Sequence, residues 1–163
     1  TEVKGLMSLF RFSLRRKVEE IQRENVRIRF AGTRSGMPPD VLELMDWAEK
    51  TTAGNTGLTF IACLNYGGRR EIVDAVNTLL AENRKSPVSE KDFAGRLYLP
   101  DVPDPDLIIR TSGEQRLSNF WLWEGAYSEL YFTETLWPDF GPGDLEAAIE
   151  YFTGRERRYG SVR

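Results

Sequence analysis

Two arginines, three hydroxyls and a carboxylate crowd the ten residues RTSGEQRLSN at 110–119, between the apolar runs LII and FWLW. Arg110 and Arg116 carry planar forks that match phosphate oxygens two at a time. Gly113 lets the backbone turn closely, and Ser118 or Asn119 stands where a following helix would place its N-cap. Guanidiniums, a hydroxyl and free helix amides meeting at one spot make a phosphate or diphosphate pocket. The competing reading is a structural network in which Glu114 pairs with Arg110 or Arg116. Glu114 raises its own question, because a bare carboxylate repels a phosphate. A divalent cation between the two removes the conflict, and Mg²⁺ commonly binds through one or two carboxylates plus substrate phosphates. Glu129, at the head of ELYF, is a second carboxylate that could approach the same site. From spacing alone, either glutamate could equally be a surface ion-pair partner.

Other chemistry is narrowed by composition. The 163 residues contain no histidine, which removes every Ser-His, Cys-His and His-metal scheme and leaves carboxylates, arginines and backbone amides. The single cysteine, Cys63, lies in the apolar stretch LTFIACLNY and reads as a buried small hydrophobe, in keeping with a reducing cytoplasm. A net charge of −3 argues against nucleic acid as a partner, so an anion site must be a local arginine cluster, at 110–116 or in RERR at 155–158. The prolines of DVPDPD at 101–106 make it a loop entering a strand and not an acidic metal cluster. No run of eighteen apolar residues and no signal-peptide pattern occurs, so nothing in this sequence spans a membrane, while a membrane-surface role stays open. Neither G-x-G-x-x-G nor the P-loop pattern is present, which disfavours a nucleotide-binding domain.

The elements that must hold the loop follow from periodicity. Val3, Leu6, Met7, Phe10, Leu14, Val18 and Ile21 recur at helical spacing over 2–25, with Leu9 and Phe12 outside that stripe on a second apolar face. VRIRFAG alternates as a strand ending at Gly32, and residues 37–55 read as a helix with Val41, Leu44, Met45 and Ala48 on one face. GLTFIACLNYGG is a continuous apolar run, the mark of a central strand covered on both faces, and RREIVDAVNTLLAEN is the next helix. AENRKSPVSEKD reads as a connection, DLIIRT and ELYFTETLW as further strands, and 144–152 as a final helix. Strands alternating with helices predict one α/β domain over 1–163, a largely parallel central sheet flanked by helices. Its ligands should lie beyond the carboxyl ends of the strands, where RTSGEQRLSN and NYGGRR sit.

DLIIRTSGEQRLSNFWLWEGAYSELYFTETLWPDF closely resembles the C-terminal signature of undecaprenyl pyrophosphate synthases, the bacterial cis-prenyltransferases. TAGNTGLTFIACLNYGGRREIVDAV resembles their central signature, and RERRYG their ending. The resemblance implies a Mg²⁺-dependent transferase that condenses isopentenyl diphosphate with an allylic, farnesyl-type diphosphate. Repeated cis additions would give a long polyprenyl diphosphate for the cell-wall lipid carrier. It implies that Arg110, Arg116, Leu117 and Ser118 hold the diphosphate of isopentenyl diphosphate, with Glu114 in a less certain role and Glu129 associated with Mg²⁺. In the homodimer that the resemblance implies, Arg158 would reach toward the partner subunit's diphosphate. The first helix resembles the one lining the family's product tunnel, which would account for Leu9 and Phe12, and Val26 and Leu58 match positions deep in that tunnel. A cytoplasmic enzyme touching the membrane through its lipid product is the implied setting.

The sequence also departs from the family pattern. The MDGNGRWA signature, whose aspartate binds Mg²⁺ and the allylic diphosphate, and the Asn-x-x-Arg segment associated with proton removal do not occur. The chain therefore resembles the C-terminal two-thirds of a synthase. Its catalytic residues are expected in the absent N-terminal part, and these 163 residues are expected to be inactive alone. A non-catalytic partner subunit of a cis-prenyltransferase complex is the alternative reading, which the intact RTSGEQRLSN disfavours.

Overall fold

The amphipathic opening stretch folds as α1, Glu2–Arg23. A computed structural model describes residues 2–83 and 86–155, with side chains from Gly5 onward. The chain divides into two compact units, Thr1–Leu99 and Pro100–Arg163.

The first unit holds α1, β1 (Arg27–Ala31), α2 (Pro39–Thr52), β2 (Thr59–Cys63), α3 (Gly68–Ala81) and α4 (Glu90–Ala94). Leu14 and Val18 of α1 bury against Val41, Leu44, Met45 and Ala48 of α2 and Ile28 and Phe30 of β1. Phe10 meets the Phe30 ring edge-on, with centroids 6.2 Å apart. Leu6 does not join this core. At 62% exposed it belongs with Leu9 and Phe12, at 61% and 58%, on the outer face of α1. Arg11 reaches from α1 to the first turn of α2, where its Nε donates to Asp40 at 2.6 Å and holds that carboxyl below the usual carboxylate range. The side chain of Val3 lies outside the described residues.

Strands β1 and β2 pair in parallel, with Arg27 opposite Thr59 and Ala31 opposite Cys63. Alternate amides of a parallel strand point to opposite sides. On the side away from β2, the Ile28 N–H donates to Thr52 Oγ1 at 3.0 Å and the Phe30 N–H to Glu49 Oε1 at 2.9 Å. Two side chains of α2 thus answer the outward N–H groups of Ile28 and Phe30 on β1. The covered strand is β1; β2, expected to be enclosed on both faces, leaves Thr59 and Phe60 exposed and Cys63 half-buried. Packing explains the difference, because α1 and α2 close over Ile28 and Phe30 and not over Phe60.

Past the strands, Gly32 turns at φ +132° so close to the β2 exit that a Cβ there would lie 1.9 Å from the Leu64 carbonyl. Asn65, at φ +50°, donates its side-chain amide to Thr33 O at 2.9 Å and Ser35 O at 3.2 Å. These bonds knit the two carboxyl ends together. Glu71, buried on α3, accepts from the Tyr66 hydroxyl at 2.5 Å and the Tyr98 N–H at 2.9 Å. The Tyr98 hydroxyl donates to Asp74 at 2.7 Å, and burial together with that carboxylate pushes its pKa upward.

In the second unit β3 (Leu107–Arg110) and β4 (Glu129–Phe132) pair in parallel, Leu107 opposite Glu129 and Arg110 opposite Phe132. A 3₁₀ turn at Trp137–Asp139 leads into α5, Pro142–Thr153. Tyr151 of α5 packs on Tyr131, centroids 5.3 Å apart, so α5 covers the face of the pair that carries Glu129 and Tyr131. The opposite face, bearing Ile108 and Arg110, meets the 111–128 connection, where Gly125 sits against Ile108. The acidic stretch 101–106 forms turns and loop, as its prolines require. Among the described residues, no helix is long and apolar enough to cross a membrane.

Candidate functional site

The helix expected after RTSGEQRLSN does not form; residues 111–128 are turns and bends. Ser118, Asn119 and Trp121 take left-handed φ values of 48°, 66° and 45°, which a right-handed helix excludes. No helix N-terminus faces an anion here. The first amides of the loop are engaged too, since Ser112 N–H donates to Thr135 O at 3.0 Å and Gly113 N–H to Thr133 O at 2.9 Å. These two bonds continue the β3–β4 ladder past Arg110 and fix the loop's departure.

Side chains therefore make the site. Arg110 closes β3 on the loop face, and its Nη1 donates to the Arg116 carbonyl and to Ser118 Oγ, the latter at 2.9 Å. One guanidinium thus gathers both ends of the 116–118 turn. Arg116 projects outward, 63% exposed, and pairs with Glu114. Arg110, Ser112, Glu114, Arg116, Leu117 and Phe120 line a cavity of about 420 Å³ at the carboxyl end of β3. Arg110, Arg116 and Leu117 line the same cavity, Ser118 is tied to Arg110, and Glu114 engages Arg116 in the ion pair that the structural reading expects. Ser112 and Phe120 also line the cavity and were not picked out from the sequence; the left-handed turn that carries Phe120 to the surface leaves no periodic signal.

Glu129 is not brought to this cavity. Three residue steps, roughly 10 Å, separate it from Arg110 along the ladder, at the amino end of β4. Its side chain lies on the α5 face, and Arg155 Nε approaches its Oε2 at 3.4 Å. The same Arg155 lies over the Tyr151 ring at 5.3 Å. Glu114 is the carboxylate paired with Arg116. Among the described residues, no group of three or more His, Cys, Asp or Glu could hold a metal. One carboxylate plus a ligand's phosphate oxygens nevertheless suits the donor preference of Mg²⁺, and Glu114 fits that role.

Of the remaining predicted positions, Val26 and Leu58 stand at the amino ends of β1 and β2, where Arg27 N–H donates to Leu58 O at 2.8 Å. Leu9 and Phe12 lie on the open face of α1, with the Arg16 guanidinium 5.1 Å from the Phe12 ring. Arg158 lies outside the described residues.

The parallel α/β fold is shared with solved diphosphate synthases of the cis-prenyltransferase class. The solved lavandulyl diphosphate synthase from Lavandula x intermedia, in complex with dimethylallyl diphosphate, superposes with a TM-score of 0.93 at 35% identity, covering 98% of this chain and 72% of its own. The sequence model of the undecaprenyl diphosphate synthase family matches residues 1–160, and the chain belongs to that family. An isoprenyl transferase of Thermotoga maritima is 51% identical over 164 residues, covering 99% of this chain and 70% of its own. A ditrans,polycis-undecaprenyl-diphosphate synthase of Xanthomonas axonopodis pv. citri, designated (2E,6E)-farnesyl-diphosphate specific, is 46% identical, covering 98% of this chain and 64% of its own. The chain spans between 61% and 70% of the length of such curated relatives.

Proposed function

We propose that this chain is the isopentenyl diphosphate-holding part of a cis-prenyltransferase that extends an allylic, farnesyl-type diphosphate into a long polyprenyl diphosphate. The observation that carries the proposal is that Arg110 and Arg116 line one cavity at the carboxyl end of β3, with Ser118 bonded to Arg110. The farnesyl designation of the Xanthomonas relative supports the choice of allylic partner.

In this reading Arg110 orders the turn, and the exposed fork of Arg116 meets the diphosphate oxygens. The Ser118 hydroxyl, fixed by Arg110, adds a neutral donor or acceptor. Arginine forks suit this task because guanidinium stays charged and presents paired donors. Mg²⁺ held between Glu114 and the diphosphate would offset negative charge there. Glu129, the carboxylate tied to Mg²⁺ by family resemblance, would have to act from the α5 face. The exposed Leu6, Leu9 and Phe12 of α1 and Leu58 and Phe60 at β2 provide apolar surface for a growing prenyl chain. The proposed assembly is a homodimer in which Arg158 serves the partner's diphosphate. A long prenyl product would bring it to the membrane surface and serve the cell-wall lipid carrier.

Lacking the aspartate and Asn-x-x-Arg signatures, these 163 residues assayed alone give no chain elongation in this proposal. Calorimetry with isopentenyl diphosphate tests the holding role. Arg116→Ala should weaken binding at least about tenfold, the scale of a lost charge-assisted pair. Unchanged affinity would refute the pocket, and a parent chain that ignores the ligand would favour the non-catalytic partner subunit.

A further inference from the structure

Behind the arginine loop, a chain of hydroxyls runs from the end of β4 to the start of α5. Its near end is a short segment, 133–135, to which the exit of β3 is tied three times. Thr133 N–H donates to Arg110 O at 2.9 Å, Gly113 N–H to Thr133 O at 2.9 Å and Ser112 N–H to Thr135 O at 3.0 Å. A Cβ at Gly113 would lie 3.8 Å from Glu134 Cγ, so the loop also rests on this segment. Ser112 takes a left-handed φ of 74°, a strained conformation for a residue with a Cβ, and it persists because the surrounding bonds hold it. The segment is itself held by side chains. The Thr133 hydroxyl donates to Thr135 Oγ1 at 3.1 Å, and its oxygen accepts the Thr135 N–H at 3.2 Å. The Thr135 hydroxyl donates in turn to Asp144 Oδ1 at 2.9 Å, while Asp144 Oδ2 accepts the Gly141 N–H at 2.9 Å at the start of α5. The donors run in one direction and end on a carboxylate, which accepts and does not donate when ionised.

We propose that Thr135 is a positioning residue for the diphosphate pocket, coupling the fixed start of α5 to the loop that carries Arg116. The inference rests on the reading of this cavity as a diphosphate pocket. Thr135 does not line the cavity; Ser112, whose amide its carbonyl receives, does, together with Arg116. Without the hydroxyl, 133–135 keeps its backbone bonds to the loop and loses its tie to Asp144. The loop then spends less time in the shape that presents Arg116 to an anion. Apparent affinity falls with the population of that competent shape. One net hydrogen bond shifts such a population by about three- to tenfold.

The test pairs calorimetric titration with isopentenyl diphosphate and residue-resolved hydrogen exchange, on the 163-residue chain as parent, Thr135→Val, Thr135→Ala, Thr135→Ser and Arg116→Ala. Valine and alanine should each weaken binding about three- to tenfold and speed exchange of the Ser112 and Gly113 amides by a similar factor. Alanine carries the comparison where the extra methyl of valine disturbs packing. Thr135→Ser keeps the hydroxyl and should stay within about twofold of the parent on both measures. Protection of α5 is the control, because Asp144 keeps its Gly141 bond in every Thr135 variant. Losses confined to the loop support positioning, and equal losses across α5 overturn it in favour of general destabilisation. If Arg116→Ala loses affinity while both hydroxyl-free variants bind as the parent does, the positioning role is wrong and the pocket stands. If Arg116→Ala binds as the parent does, the pocket and the role of Thr135 fall together.

Discussion

Thr52→Val isolates one hydroxyl in the frame that carries β1. Thr52 is fully buried; its Oγ1 accepts the Ile28 N–H at 3.0 Å and donates to Ala48 O at the same distance. Valine keeps the shape and removes the acceptor, leaving the Ile28 amide without a partner in a site closed to water. An unsatisfied buried donor costs about 1–3 kcal/mol, and the added methyl returns up to about 0.8 kcal/mol. The net loss is about 1–2 kcal/mol, a factor of roughly 5 to 30 in local opening. Because the chain has two compact units, a single global melting curve is the wrong readout. Residue-resolved hydrogen exchange is the right one. The Ile28 amide should exchange roughly 5 to 30 times faster in Thr52→Val, while Phe30, held by Glu49, changes less. Thr52→Ser retains the oxygen and should protect Ile28 far better than valine does. Exchange at Ile28 within about twofold of the parent in Thr52→Val would refute the reasoning. So would equal acceleration in the serine variant.

Gly32→Ala would push a Cβ to 1.9 Å from the Leu64 carbonyl at φ +132°, so it should destabilise the first unit by more than about 2 kcal/mol, seen as lost exchange protection in β1 and β2. Asp144 caps α5 by accepting the Gly141 N–H at 2.9 Å and the Thr135 hydroxyl at 2.9 Å, in that order the causes that depress its pKa. A depressed carboxyl stabilises the fold above its unfolded value near 3.9 and loses that contribution as pH falls through the folded value. Protection of α5 should therefore decline below about pH 4, and Asp144→Asn should flatten the dependence; an unaltered profile in the variant would show that the cap does not titrate with stability.

Periodicity marks the elements that bury a stripe. Leu14 and Val18 on α1, the alternation of β1 and the apolar face of α2 all fall where spacing puts them, because each answers to one neighbouring surface. Leu6 shows the limit, since its spacing places it in the stripe while the structure leaves it on the outer face. The cavity-lining Arg110, Glu114, Arg116 and Leu117 were legible as a set, because they crowd one short loop at the end of a strand. The loop's backbone was not. Left-handed turns at Ser118, Asn119 and Trp121 carry no hydrophobic period, and the apolar FWLW beyond them mimics a helix or buried segment. α4 lay inside a stretch that reads as linker, although Ser89 and Asp92 form the reciprocal cap that a Ser-x-x-acid spacing signals. The face on which Glu129 lies depends on strand register, which residue spacing alone does not fix.

The acceptors that Thr52 and Glu49 offer to β1 also bear on self-association. With its outward Ile28 and Phe30 amides already answered, β1 offers a newcomer few free donors. In the β1–β2 sheet, adhesion is then concentrated on β2, whose sequence TFIAC bears no charge and whose Thr59 and Phe60 stand in solvent. Such a segment is where strand-to-strand aggregation would begin. A lysine in place of Thr59 should make concentrated solutions of the chain clearer without touching the arginine pocket.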